Sequence, residues 1–241
     1  VAQAGDSVRI AHVTGFSGPL SAYAKQLGDG MRMGFEYATD GTMEVAGRKI
    51  EIIDKDTQND PARARSLVEE AYAEDDASIV VGPVASGVAL ATLPIAEEYE
   101  KILIVEPAVA DSLTGPDSNR YVFKTSRNSS MDMQAQALAL QPDENLYVAT
   151  IAEDYAFGHD GIEAFKAALD GTGATVVTEE FVPQGTADFT AAAERMFNAL
   201  KDKDGRKVIL VYIAGGGDAP GKIQALDPSR HGIEISMGGH I

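Results

Sequence analysis

The stretch "VILVYIAGGGDAPGKIQAL", residues 208–226, runs from an apolar segment through a glycine turn into a helical pattern. Strand, tight turn and helix is the unit from which the rest of the chain is built. The same stretch contains Gly216-x-x-x-x-Gly221-Lys222, most of a phosphate-binding P-loop. A working P-loop needs backbone N–H groups aimed at the phosphates, a lysine on the terminal phosphates and a hydroxyl on magnesium. Here Ile223 stands where the hydroxyl belongs, Pro220 removes a backbone donor and Asp218 puts a carboxylate into the cradle. The segment therefore reads as a strand-to-helix connection with Asp218 near the helix start. It sits at the C-terminal end of a strand, which is where open α/β sheets place ligands.

The alternation continues in both directions. "VRIAHVT" (8–14) is a strand, and Leu27, Met31, Phe35 and Ala38 mark one face of the helix after Ser21. "KIEIIDKD" is the next strand, followed from about Asp60 by a helix with Ala64, Leu67, Val68 and Ala71 inward. "SIVVG" (78–82), a helix opening at Ser86, and "KILIVEP" complete the first array. "RYVFKT" (120–125) then leads to a helix over 129–141, and "NLYVATIAED" (145–154) is a strand. Ile162, Phe165 and Leu169 mark a helix after Gly158. "GATVVTEEFV" is the following strand, and Phe189, Ala192, Met196 and Leu200 mark the next helix. "KVILVYIA" and "IEISMGG" close the series. Strands separated by helices predict α/β architecture with parallel sheets flanked by helices. The Gly115-Pro116-Asp117-Ser118 turn cluster places the break near 119–123, giving lobes over 1–121 and 122–241.

Composition narrows the function. A formal charge of −17, from 37 acidic and 20 basic residues spread along the chain, repels phosphate backbones and anionic lipid. Nucleic acid and membrane surfaces are thereby excluded as partners. The absence of cysteine removes disulfides, thiol catalysis and thiolate-bound metals. His12, His159, His231 and His240 have no metal-pair spacing, and neither HExxH nor GxSxG occurs. No catalytic set, metal or cofactor is called for. The start carries Ala2-Gln3-Ala4, the small-x-small form of a signal-peptidase site, which reads as the processed start of an exported chain. Ser86 opens a helix directly after a strand. Its hydroxyl and the first-turn N–H groups either receive a carboxylate above the strand end, or the hydroxyl caps its own helix.

Three stretches together carry a resemblance: "VRIAHVTGFSGPLSAYAKQLGDGMRMGF", "VVGPVASGVALATLPIAEEYEKILIVEPAVADSLT" and "VATIAEDYAFGHDGIEAFKAAL". They resemble the type I periplasmic solute-binding proteins of the branched-chain amino acid (Leu/Ile/Val) ABC-importer family. The SGP-x-x-x-Y opening, Gly-x-x-x-Ser loop, x-P-A strand end and D-Y-A-x-G turn fall in family order. The resemblance implies two Rossmann-like lobes closing on a ligand, a periplasmic location after signal-peptide removal, and delivery to an inner-membrane permease without catalysis. Members are longer, so the chain is expected to stop near the first return crossing. It then lacks part of both lobes, with self-association of the shortened chain as a consequence.

In the family the ligand carboxylate meets the position of Ser86, with Ala85 ahead of it. The ammonium meets the positions of Ala108, Ala110 and His240, where family members carry a carbonyl, a threonine and a glutamate. Tyr23 and Phe157 match the family's aromatic contacts, with Tyr155 adjacent to the second, and Gly216 stands where a tyrosine is usual. The carboxylate end is kept while the ammonium partners are lost. The expected ligand is a small carboxylate, amino acid-like or an aromatic or other organic acid. Because a buried ammonium without a partner costs several kcal/mol, the losses point to an aromatic or other organic acid without an α-amino group. Arg127 reads either as a second anion clamp or as the partner of a nearby carboxylate. A cytoplasmic amide or amino-acid sensor on the same fold and a nucleotide enzyme are the alternative readings.

Overall fold

The apolar runs at 8–14, 146–153 and 206–212 are almost wholly buried, as the inner strands of parallel sheets must be. The computed structural model describes residues 7–116, 118–214 and 218–238. Its first elements are β1 (Val8–Thr14), α1 (Ser21–Ala38), β2 (Glu44–Val45), β3 (Arg48–Asp56) and α2 (Pro61–Ala73). They continue with β4 (Ile79–Val81), α3 (Ser86–Glu98), β5 (Ile102–Val105) and β6 (Val122–Lys124). After these come α4 (Ser129–Leu140), β7 (Leu146–Glu153), α5 (Ala156–Leu169), β8 (Thr175–Val182) and α6 (Thr190–Leu200). β9 (Arg206–Tyr212), α7 (Ala219–Gln224) and β10 (Ile233–Met237) complete the series. The chain divides between Ser126 and Arg127 into two units, each with its own sheet.

The first sheet has the order β2-β3-β1-β4-β5-β6 and is parallel apart from the short β2–β3 pair. The second has the order β10-β9-β7-β8 and is parallel. In the first, the chain moves outward from β1 to β3, then crosses back to add β4, β5 and β6 on the other side. In the second, it moves from β7 to β8 and returns to add β9 and β10. The winding therefore reverses between β1 and β4 in one sheet and between β7 and β9 in the other. Such reversals open a crevice beyond the C-terminal strand ends.

The crossing expected at 121/122 comes later. Val122, Phe123 and Lys124 pair with Leu103, Ile104 and Val105, so β6 completes the edge of the first sheet. The β2 edge strand was not expected, and Ala38 is exposed because α1 turns its contact face through Ala24 and Gly28 instead. α5 begins at Ala156 rather than after Gly158. Glycine at 158 allows this earlier start, because a Cβ there would run into the Glu153 carbonyl at the end of β7. Side chains cap three helices: Asp60 accepts from the Arg63 N–H at 2.7 Å, Asn128 from Met131 at 2.9 Å and Asp218 from Gly221 at 3.1 Å. Asp218 thus takes the helix-start role expected of it.

Alternation along the strands sorts the second core. Ala149, Ile151, Ile209 and Val211 point to one face and pack with Phe189, Met196, Leu200 and Ile223. Tyr212 points to the other face, where Gly161 of α5 admits its ring. A methyl at Gly161 would overlap that ring, so Gly161→Ala should lower unfolding free energy in urea by about 1–3 kcal/mol. Gly30→Ala, on the exposed side of α1 with nothing within 4 Å of the new Cβ, should raise it by about 0.4–1 kcal/mol. Equal responses would contradict this packing.

Candidate functional site

In the first unit, β4 ends at Val81 and the chain reaches α3 within a few residues, beside the reversal. Ala85 is the extended N-cap residue, buried, with no side-chain cap. Ser86 is the first helical residue and only 2% exposed. Its hydroxyl does not cap α3. Instead its Oγ accepts the N–H of Ala110 at 3.2 Å, joining the loop after β5 to the start of α3. A serine hydroxyl has one proton and two lone pairs. With one lone pair on Ala110, the proton is left to donate, and no described residue accepts it.

The first bond inside α3 runs from the Ala89 N–H to the Ala85 carbonyl at 2.9 Å. The N–H groups of Ser86, Gly87 and Val88 precede that bond and have no partner within the helix. Hydroxyl, amides and the positive end of the helix dipole make this corner suited to an anion. Ala108, on the same loop as Ala110, offers a buried carbonyl that the Ser126 hydroxyl approaches at 3.5 Å, a marginal distance. Tyr23 lies half-buried in the first turn of α1, the helix that follows β1. The fold thus joins Ser86, Ala85, Ala108 and Ala110 directly, while among the described residues no hydrogen bond links Tyr23 to them.

In the second unit, Tyr155 is the N-cap residue of α5 and Phe157 lies in its first turn. The rings of Tyr155 and Phe157 stack with centroids 5.7 Å apart, and Phe157 stacks on Tyr212 at 4.1 Å. Arg127 takes the pairing role: its Nε lies 2.6 Å from Asp132 Oδ1 on α4, so part of the fork is committed to a carboxylate of the same unit. The geometry does not gather Arg127 with the aromatic group. Gly216, His240 and the Ala2-Gln3-Ala4 start lie outside the described residues.

One residue of this strand end escaped the sequence reading. Glu153 closes β7 and is 2% exposed. Its Oε2 accepts the Ala214 N–H at 3.1 Å just after β9, and the Tyr155 hydroxyl also donates to it. Gln184 bonds the same phenol, and burial beside the Glu153 charge holds that phenol well above its ordinary pKa. Desolvation pushes the Glu153 carboxyl up to about 7, against the opposing pull of Ala214 and Tyr155. The signal was present in the sequence: an acid ends a largely apolar strand, where nothing in strand chemistry asks for one.

A family model described as "Periplasmic binding protein" matches residues 7–228. The chain is 54% identical to a Rhodopseudomonas palustris protein whose solved structure is described as an ABC-type branched-chain amino acid transporter. That match covers 98% of this chain and 63% of the other, with a TM-score of 0.74. It is 26% identical over 211 residues to the Leu/Ile/Val-binding protein BraC3 of Rhizobium johnstonii, covering 86% of this chain and 54% of the relative. A solute-binding protein of R. palustris BisB5, solved with 3,4-dihydroxybenzoic acid, is 25% identical over 96% of this chain and 62% of the other, with a TM-score of 0.80. The chain spans about half the length of the curated relatives it matches.

The raised Glu153 pKa makes stability depend on pH. The folded chain holds this proton to about pH 7 while the unfolded chain releases it near 4.5, so the stability it contributes below 4.5 is lost as pH rises through 7. Glu153→Gln removes that loss. Its stability relative to the parent should climb between about pH 4.5 and 7.5 by at most roughly 3 kcal/mol. A difference that is flat with pH in urea titrations would contradict the buried, partly protonated carboxyl.

Proposed function

The chain belongs to the periplasmic binding protein family, and from that premise we propose that the full-length protein is the solute-binding component of an ABC importer. It works outside the cytoplasmic membrane, captures a small carboxylate without chemical change and hands it to a permease. The observation that carries this reading is the Ser86 corner. The Ala110 N–H occupies a lone pair of the Ser86 oxygen, so the hydroxyl proton, with the first N–H groups of α3, is set to donate to a carboxylate. Hydrogen bonds to charged groups contribute about 1.5–3 kcal/mol each, enough for one hydroxyl to change affinity roughly 10- to 150-fold.

The ligand class follows from the same chemistry. Amino acids and aromatic acids share the carboxylate, and the relatives named above span both: one is named for Leu/Ile/Val and one was solved with a dihydroxybenzoic acid. The 241-residue chain by itself should self-associate, since Met33 and Tyr37 lie one turn apart on α1, 67% and 89% exposed.

Two measurements check these proposals. In a thermal-shift screen of the full-length protein, amino acids or aromatic acids should raise the midpoint and their amides should not; Ser86→Ala should weaken binding at least about tenfold. Amides as effective as acids would sink the carboxylate reading. Sedimentation of the 241-residue chain should show dimers or larger species that dissociate when Tyr37→Lys is introduced, and a monomeric parent would refute the exposed face as an association surface.

A further inference from the structure

We infer that His12 is an acid-operated release for α1: protonation of its buried ring loosens the packing of α1 against β1 and β3. The inference concerns the first unit alone and does not depend on which ligand the protein takes.

Placement is the first argument. His12 lies within β1, beside Asp54 of β3 and Val81 of β4, and is 0% exposed. Its Nδ1 is 3.3 Å from Asp54 Oδ1, and Asp54 Oδ2 accepts from Arg32 of α1 at 2.6 Å. A carboxylate only accepts, so Nδ1 carries the proton of the neutral ring and Nε2 the lone pair. Among the described residues Nε2 has no hydrogen-bond partner. Thr14, two residues along the same face of β1, also has a buried hydroxyl without a partner, and the two do not bond each other.

Enclosure is the second. The helix backbone of α1 lies directly on the ring. A Cβ at Gly28 would stand 3.1 Å from Cε1, the carbon between the two ring nitrogens. Phe16 meets the ring edge-on, with centroids 4.9 Å apart. Two charged groups act on His12 from the elements around it: Asp54 of β3 favours the imidazolium and Arg32 of α1 opposes it.

Energetics is the third. A neutral ring leaves only a lone pair unmatched, which costs far less than an unmatched charge. An imidazolium would bring a positive charge and a second N–H to a place that offers Nε2 no acceptor, while Asp54 is shared with Arg32. Burial is the largest influence and holds the ring below its ordinary pKa of 6.5. An opened ring takes its proton near 6.5 and a packed ring only at lower pH. Stability that is complete above 6.5 is therefore lost as pH falls below it. β1 is tied to β3 and β4 by ladders on both sides, so the ring reaches water by the lifting of α1 rather than by the parting of strands.

Hydrogen exchange of the full-length protein between about pH 7.5 and 5, read by mass spectrometry and corrected for intrinsic exchange chemistry, tests the inference. Peptides over 21–38 should lose protection below pH 6.5, by up to about tenfold per pH unit. Peptides over 156–169 in the second unit should not, because acid favours the packed Glu153 there. His12→Phe keeps an aromatic ring that cannot take a proton and should abolish the response. If that variant does not fold, two changes at partly exposed side chains serve instead: Asp54→Asn should deepen the acid response and Arg32→Gln should lessen it. Protection over 21–38 that ignores pH overturns the inference. So does an equal loss over 156–169, the mark of general acid unfolding, or Asp54 and Arg32 variants that move the response in the same direction.

Discussion

A single hydrogen bond, from the Ala110 N–H to the Ser86 oxygen, fixes what the first unit has to offer. It joins two loops that leave neighbouring parallel strands, β4 and β5, and sets the orientation of a hydroxyl at a helix start. Without it, Ser86 would be free to turn back and cap α3, consuming the group that makes the corner useful. With it, the buried hydroxyl keeps its proton to donate, beside amides that the helix itself cannot satisfy. The parallel topology is what permits the arrangement, since every strand delivers its following loop to the same end of the sheet.

An acidic chain proposed to bind an anion is not a contradiction, because the two effects act over different distances. The −17 formal charge is spread over the sequence, and at physiological ionic strength its field decays over roughly 8 Å. The Ser86 hydroxyl and the amides of α3 act at hydrogen-bond range. There a charged acceptor gains about 1.5–3 kcal/mol per bond, and the helix terminus adds up to about 2 kcal/mol in a partly buried setting. The local term wins once the anion is in contact.

The alternation of strand and helix was legible because each element keeps a clean period. Ile162, Phe165 and Leu169, and likewise Phe189, Ala192, Met196 and Leu200, are buried as their spacing predicted. Ser86 was placed at the start of its helix, yet its partner was not legible, because the bond to Ala110 crosses 24 residues and depends on how two loops settle. The boundary between the units was placed too early because β6 is only three residues long and turn residues precede it. Its allegiance is decided by pairing with β5, which no local pattern encodes. Glu153 was passed over as the polar end of a strand. Its burial and its bond to the Ala214 N–H, 61 residues away, depend on how β7 and β9 pair, which no local pattern encodes.

The central claim is that the Ser86 corner receives the carboxylate of a small ligand. A crystal structure of the full-length protein grown with a bound amino acid or aromatic acid tests it most directly. The account predicts a carboxylate oxygen within hydrogen-bond distance of the Ser86 hydroxyl and of an N–H in the first turn of α3, with the Ala110 bond preserved. A ligand whose carboxylate lies on other groups, with Ser86 turned back onto its own helix, would contradict it.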